Sequence, residues 1–422
     1  MGSSVISAVT NFGRGSGDSG TSTEVSTWSK GDSIRTGLAA LLVIGLLFTA
    51  YQLSDNEGTG TNAALSLLIG SALGIAFERG RFCFFCIFRD AIEDRDTTPF
   101  LSILSAIAVG AIGYAVIFGQ FLPDTSSDRL PPNAHIGPVS TALVAAGLAF
   151  GIGMALSGAC ISGHLYRIGQ GSLRAYPALF GSLIGFGLGF KSWNTMYSKS
   201  ISDAPTTWLP HYLGYGGSLA LTLSLLALIA VVAIKFGKNS TPLANPVATK
   251  IDLASLRQSL LINRWRPLTT GAIFGVIGTF AYLRIEPLGV TRQISTTSRT
   301  YFEGEGWIPQ NLDGLDLMAG CIAVVTEAIT NNGWLAIGII GSSFAAAFAG
   351  GRFKPSRLTV TNTSTALLGG VALGWGSMTS LGCTIGVLLS GTQAFAVSGW
   401  IFFIFVFLGS FVGIKLKLHK TG

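Results

Sequence analysis

Residues 358–414 contain no Asp, Glu, Lys or Arg, an uncharged run of 57 residues. A helix rises about 1.5 Å per residue and the hydrocarbon core of a bilayer is about 30 Å thick, so about 20 apolar residues make one crossing. This run therefore holds two crossings with residues to spare. Shorter uncharged runs recur at 36–54, 130–166, 268–283 and 328–351. Charged residues make up 11% of the chain, against roughly 25% in a soluble protein. Backbone polar groups in lipid must be satisfied within helices. The expected fold is an all-α polytopic membrane protein with nine to eleven membrane-embedded segments, some of them re-entrant, in the inner or plasma membrane.

Four regions follow from the composition along the chain. Residues 1–34 are rich in Ser, Thr and Gly and read as a disordered polar tail. They lack the charged and apolar regions of a cleaved signal peptide. Residues 35–234 form a first transmembrane half and 268–422 a second, ending in a short basic tail with Lys415, Lys417 and Lys420. Between them, Lys235, Lys238, Lys250, Arg257, Arg264 and Arg266 surround a short amphipathic stretch, 251–261. The positive-inside rule makes 235–267 a cytoplasmic linker and puts 79–95 and the C-terminal tail on the same side. Simple alternation of spans would place Arg352, Lys354 and Arg357 on the other face. Topology accounts for the net charge of +7, so no nucleic-acid partner is needed.

The pattern Gly-x-Gly-x3-Ser-x2-Cys-x2-Gly occurs twice, through Gly151, Gly153, Ser157, Cys160 and Gly163, and through Gly374, Gly376, Ser380, Cys383 and Gly386. Glycine within a helix costs about 1 kcal/mol relative to alanine. Such a cluster favours either close helix packing or a helix break, which is tolerated at membrane depth where it lines a cavity. The repeated cysteine decides for the break, with free N–H groups of a helix start suited to an anion. A second match joins residues 69–82 to 340–353, identical at eight of fourteen positions and both ending in Gly-Arg-Phe. Duplicated halves with glycine-interrupted segments point to a transporter with its site at the interface between repeats, and inverted repeats are the preferred arrangement. At the position matching Cys83 the second half has Lys354, which gives one face a thiol and the other a charge.

There are five cysteines, Cys83, Cys86, Cys160, Cys321 and Cys383. The odd number argues against a disulfide framework. Cys83 and Cys86 form a lone Cys-x-x-Cys, weak as a zinc signal. Cys86 and Cys321 read as small buried hydrophobes.

Residues 77–90, 156–171 and 380–386 resemble the YeeE/YedE family of sulfur-transport proteins, and the resemblance extends over about residues 36–415. It implies an hourglass-shaped helical fold of two pseudo-symmetric halves. In that fold three cysteines, here Cys83, Cys160 and Cys383, line a central path and pass thiosulfate along by S–H hydrogen bonds. It also implies a small sulfur-carrier protein at the cytoplasmic side. The segments 191–212 and 285–314 receive no role from it.

The chemistry agrees with a relay. An ordinary thiol, with pKa about 8.5, is mostly neutral at pH 7. Its S–H is a weak donor, and conduction needs weak sequential sites. Arg79, Arg81 and Arg167 could gather the anion, or pair with Glu78 or Asp90. His164 could relay protons, although a satisfied hydrogen-bonding histidine is the plainer reading. Gln170 and Gln393, matched between the halves, could offer amide donors. The candidate translocation residues are therefore Cys83, Cys160 and Cys383, with Ser157, Gly158, Gly163, Ser380, Gly382 and Gly386 at the breaks and Arg81, Arg167, Gln170 and Gln393 beside them. No catalytic residue, metal or cofactor is expected. Two alternatives stay open: a membrane thiol-disulfide oxidoreductase using Cys83 and Cys86, and a selenium or metalloid permease.

Overall fold

The structure is a computed structural model that describes residues 30–55, 58, 60–127, 129–238, 263–315, 318 and 323–420. Cys321, most of the polar tail and the amphipathic stretch of the linker lie outside these residues. The described chain is helical, without a strand. Its helices are α1 (Lys30–Ser54), α2 (Gly60–Gly80), α3 (Phe84–Arg89), α4 (Phe100–Phe121), α5 (Thr141–Ser157), α6 (Ile161–Gly169), α7 (Ala175–Met196), α8 (Leu209–Phe236), α9 (Pro267–Arg284), α10 (Arg292–Gly304), α11 (Asn331–Ala349), α12 (Val360–Thr379) and α13 (Val397–Lys415). A π-helical segment, Thr384–Gly391, follows α12.

Seven spans among the described residues are long and apolar enough to cross a bilayer, and a bent pair makes an eighth. The other embedded-segment candidates, α7 and α9, are less apolar and pack along α12 and α4. The outermost spans are α1 and α8, which leave most of their apolar surface uncovered by protein. That surface suits lipid, since every backbone bond is closed within the helix. Inside the bundle, glycines let backbones touch. A Cβ on Gly374 would collide with the carbonyl of Ser182, and one on Gly151 with that of Val406, so α12 meets α7, and α5 meets α13, at small-residue seams.

Three spans are interrupted, each at a cysteine. Cys83 stands between α2 and α3 within the span Gly60–Asp94, and Cys160 between α5 and α6 within Thr141–Gly169. Cys383 stands between α12 and the π-helical segment, which is bent 43° from it.

The helix contacts qualify the expected duplication. Along α5 and α12, Gly153 and Ser157 meet Gly369 while Ala146 and Phe150 meet Gly376, so the two cysteine-motif helices run antiparallel. Along α2 and α11, Leu67 and Gly70 meet Gly338 while Gly74 meets Ile339 and Ser342, so these helices run parallel. One symmetry operation cannot produce both relations.

The same geometry corrects the placing of the second basic cluster. Arg352 forms a two-pronged ion pair with Glu78 (2.7 and 3.0 Å), which brings both Gly-Arg-Phe segments to one face. Lys238 N–H donates to Arg95 O at 3.0 Å, Trp265 N–H to Arg79 O at 3.1 Å, and Lys420 pairs with Glu93 at 2.8 Å. The linker ends, the 79–95 segment, the 352–354 segment and the C-terminal tail therefore share a single basic face. Alternation failed because α11 ends beside α2 and not across from it. Lys354 accordingly lies on the same side as Arg81, and the expected opposition of a thiol face and a charged face is not what the fold shows.

Candidate functional site

Each of the three cysteines caps the start of a helix. Cys83, Cys160 and Cys383 have extended backbone angles and immediately precede α3, α6 and the π-helical segment. Two residues before each one the chain takes a left-handed turn, at Arg81 (φ 49°), Gly158 (φ 87°) and Leu381 (φ 61°). Such a residue ends a helix by bending the chain away from its axis, so the next helix starts in a new direction with its first N–H groups free. At the two motif copies the serine braces the break in the same way. Ser157 Oγ donates to Gly153 O and Ala159 O (2.8 and 3.0 Å), and Ser380 Oγ to Gly376 O and Gly382 O (2.7 and 2.9 Å). Their hydroxyl protons are thus directed to the backbone, which leaves lone pairs for any ligand.

The thiols are enclosed: Cys83 and Cys160 are fully buried and Cys383 is 1% exposed. All four cysteines among the described residues are free. Cys83 neighbours both Cys160 and Cys86, while Cys160 has Cys83 beside it and Cys383 within electrostatic reach. Gly163 N–H donates to Cys160 Sγ at 3.4 Å, and Ser162 Oγ lies 3.2 Å from the same sulfur. A Cβ on Gly163 would stand 3.1 Å from Cys83 Sγ and 3.4 Å from Cys160 Sγ. This glycine is what lets the two sulfurs share one space. Gly382 makes a similar close approach to Val387 and His135. The Cys383 thiol faces the amides of Ile385 and Gly386, the Val290 amide and the Thr291 hydroxyl.

Aromatic rings wall the Cys83 break. Phe82 stacks on Phe274 at 4.2 Å, and Phe77 on Tyr166 at 5.6 Å. They make the surroundings of the thiols apolar, so that the few donors present act in a low dielectric.

Toward the basic face the thiols give way to a cavity of about 440 Å³ walled by Arg81, Arg89, Arg167, Arg264, Arg352 and Lys354, with Glu78, Asp90, Gln170 and Cys86. Arg352 is tied to Glu78 and Arg89 to Asp90. No carboxylate among the described residues pairs with Arg81, Arg167, Arg264 or Lys354. Arg167 donates to Gly158 O at 2.9 Å and to Cys86 Sγ at 2.8 Å, so it joins the Cys160 break to the cavity. Cys86, read above as a small buried hydrophobe, is instead half-buried on the cavity wall. Its spacing carried the signal: in Cys-x-x-Cys at a helix start, the third helical residue faces the capping one. Arg79 points elsewhere, buried with Nη1 3.9 Å from Glu78. On the opposite side, a small cavity of about 20 Å³ is lined by His135, Trp193, Thr379, Ser380, Val387 and Ser398, among others.

The two glutamines part company. Gln170 lines the basic cavity, its carbonyl accepting from Lys354 N–H at 3.0 Å. Gln393 is fully buried, donates to Ala106 O at 2.9 Å and fits into the notch left by Gly110 of α4. His164 is buried with Nε2 lacking a hydrogen-bond partner.

Known proteins resemble this sequence over most of its length. It is 28% identical to a thiosulfate transporter, TsuA, of Escherichia coli (strain K12) over 353 residues, which are 81% of this chain and 91% of the relative. It is also 28% identical to the thiosulfate transporter TsuA of Spirochaeta thermophila over 358 residues, 82% of this chain and 96% of that one. A probable transporter of E. coli, YedE, matches at 28% over 216 residues, about half of each chain. The family profile described as Sulphur transport matches residues 79–412, a stretch that contains all three break cysteines and, apart from Glu78, the lining of both cavities. The chain belongs to the Sulphur transport family.

Proposed function

We propose that the chain takes up thiosulfate, or a related small sulfur-containing anion, across the cell inner membrane through a row of neutral thiols. The observation that carries this reading is the placement of three buried thiols at three helix starts, with Cys160 in reach of both others. Each thiol offers a weak S–H donor, and each helix start adds partial positive charge. Such sites hold a soft anion without trapping it, as stepwise conduction requires. The candidate site residues named from the sequence keep the roles the geometry supports. Cys83, Cys160 and Cys383 hold the anion, while Gly163 and Gly386 let it approach sulfur and amide. Gly158, Gly382, Ser157 and Ser380 shape the breaks, and Arg81, Arg167 and Gln170 receive the anion. Gln393 braces α4.

The basic face is cytoplasmic by the positive-inside rule, so the anion passes from the small cavity at Ser380, through Cys383, Cys160 and Cys83, into the arginine-lined cavity. A small sulfur-carrier protein on that face would take it onward. Growth on thiosulfate as sole sulfur source, in a host lacking its own sulfate and thiosulfate importers, tests the substrate against sulfite, sulfide and selenite. No growth on any of them would make the substrate wrong. Full uptake by a Cys83→Ala, Cys160→Ala, Cys383→Ala variant would rule out the thiol relay.

A further inference from the structure

Cys383 differs from the other two thiols in its surroundings. Two chain segments converge on it, its own π-helical start and the residues that open α10. Helix α10 is amphipathic in an unusual sense, because its buried residues are Ser295, Thr296, Ser298 and Arg299. Ser298 donates to Leu183 O at 2.8 Å and is satisfied. Thr291 and Ser295, one turn apart on the same side of the helix, are both completely buried; the Thr291 hydroxyl has the Cys383 sulfur as its polar neighbour, and that of Ser295 finds no hydrogen-bond partner. Thr384, which follows Cys383 directly, is 1% exposed and its hydroxyl is equally unmatched. Buried hydroxyls are ordinarily paired. Here Thr384 adjoins a thiol in the chain, Thr291 faces that thiol, and Ser295 stands one helical turn from Thr291. The nearby cation Arg292 is neutralised by Glu286 at 2.6 Å, so the donors around Cys383 are neutral.

We infer that Thr291 and Ser295, with the Val290 amide, form the oxygen-binding half of a station whose sulfur-binding half is the Cys383 thiol. The ligand class is a thio-oxyanion, an ion with a soft terminal sulfur and hard oxygens on one tetrahedral centre. This rests on the thiosulfate reading above and sharpens it. Sulfide has no oxygen for the hydroxyls, and sulfate has no soft atom for the thiol. Neither matches both halves, so selection occurs at the first thiol met from the side away from the basic face. At Cys160 the neighbouring hydroxyl, Ser162, belongs to the same helix start as the sulfur, and Cys83 has thiols for neighbours, so neither repeats the convergence of two segments.

The test uses the full chain in proteoliposomes, with labelled thiosulfate uptake compared across wild type, Thr291→Val, Thr291→Ser and Ser295→Ala. Each lost hydrogen bond should raise KM about tenfold with little change in maximal rate, and Thr291→Ser should stay within about twofold of wild type. Thermal unfolding in detergent separates binding from structure. Removing the unpaired Ser295 hydroxyl should leave the midpoint unchanged or raised, whereas a structural role would lower it. Competition by sulfide should be the same in wild type and Thr291→Val. An unchanged KM in Thr291→Val and Ser295→Ala would overturn the assignment, as would a lower midpoint with equal losses in the Val and Ser variants. Wild-type protein that fails to take up thiosulfate would overturn the substrate reading itself, a result distinct from either.

Discussion

Gly163→Ala is the smallest change that separates transport from folding. The added methyl would stand 2.9 Å from Ala159 Cβ, 3.1 Å from Cys83 Sγ and 3.4 Å from Cys160 Sγ. Ordinary carbon contacts lie at about 3.5–4.0 Å, so Ala159 and Cys83 must retreat by several tenths of an ångström, while Cys160 stands at the near edge of ordinary contact. Ala159 belongs to the break itself and both sulfurs sit in a packed interior, so none of the three moves freely. Overpacking of this kind costs about 1–3 kcal/mol. Alanine in a helix returns up to about 1 kcal/mol relative to glycine, which leaves folding little altered. The thiols, however, are forced apart at the one place where they adjoin. If about 2 kcal/mol of that misplacement falls on the step between Cys83 and Cys160, the rate drops about 30-fold. Labelled thiosulfate uptake, normalised to folded protein, reads this directly. Gly45→Ala on α1, where a Cβ meets nothing within 4 Å, is the matched control and should behave as wild type. Wild-type uptake by Gly163→Ala would refute the claim that the shared space between the two sulfurs is part of the path.

Three further outcomes follow from the same geometry. Glu78→Gln removes a fully buried carboxylate that neutralises Arg352 and stands beside Arg79, so it should destabilise by about 3–5 kcal/mol, seen as loss of folded protein on detergent chromatography. A second change, Arg352→Gln, should restore part of it. Cys86, on the cavity wall, should react with a charged maleimide applied to the basic face and so block uptake, while Cys160 and Cys383 stay unlabelled; equal labelling of all three would contradict the burial pattern. His135, in the segment between α4 and α5, is held at about 4 against an ordinary 6.5, first by burial and then by Arg292. It is neutral when folded and takes a proton when unfolded below pH 6.5, so stability is lost as pH falls from about 6.5 to 4, by up to about 3 kcal/mol. His135→Gln should flatten that acid limb in thermal melts.

The helical membrane class could be read from uncharged runs because a bilayer imposes one length on every crossing. The helix breaks could be read too, since Gly-x-Gly-x3-Ser-x2-Cys packs the means of ending one helix and starting another into a few residues. What escaped was set by contacts between distant segments. Glu78 and Arg352 lie 274 residues apart, and only their pairing reveals that both Gly-Arg-Phe segments reach one face. The match of residues 69–82 with 340–353 says nothing of direction, and α2 and α11 prove parallel where α5 and α12 are antiparallel. Gln170 and Gln393 occupy equal places in the motif copies, yet one meets a cavity and the other a helix notch, because α4 covers only the second. Cys86 was legible in principle, from the facing of the first and fourth residues at a helix start. Thr291 was not, as nothing in a polar segment between spans announces that its hydroxyl will be buried against a distant thiol.

The order of donors along the proposed path makes an electrical prediction. Neutral groups come first, hydroxyls and thiols, and four cations without a carboxylate partner among the described residues come last, Arg81, Arg167, Arg264 and Lys354. Fixed cations at the cytoplasmic end lower the energy of the anion locally but cannot change the work of carrying it across. An inside-negative potential opposes each inward negative charge by about 2.3 kcal/mol per 100 mV. For a divalent anion this is about 4.6 kcal/mol, roughly three orders of magnitude in the accumulation ratio. A co-transported cation could offset it, but needs a carboxylate or similar ligand near the thiols. The buried carboxylate nearest to hand, Glu78, is occupied by Arg352 through both oxygens. The expectation is therefore uncoupled movement drawn forward by consumption inside the cell. In proteoliposomes loaded for a potassium diffusion potential, inside-negative potential should slow initial thiosulfate uptake and inside-positive potential should speed it. Faster uptake at inside-negative potential would mean that cations enter with the anion, and would require a cation site beside the thiol row.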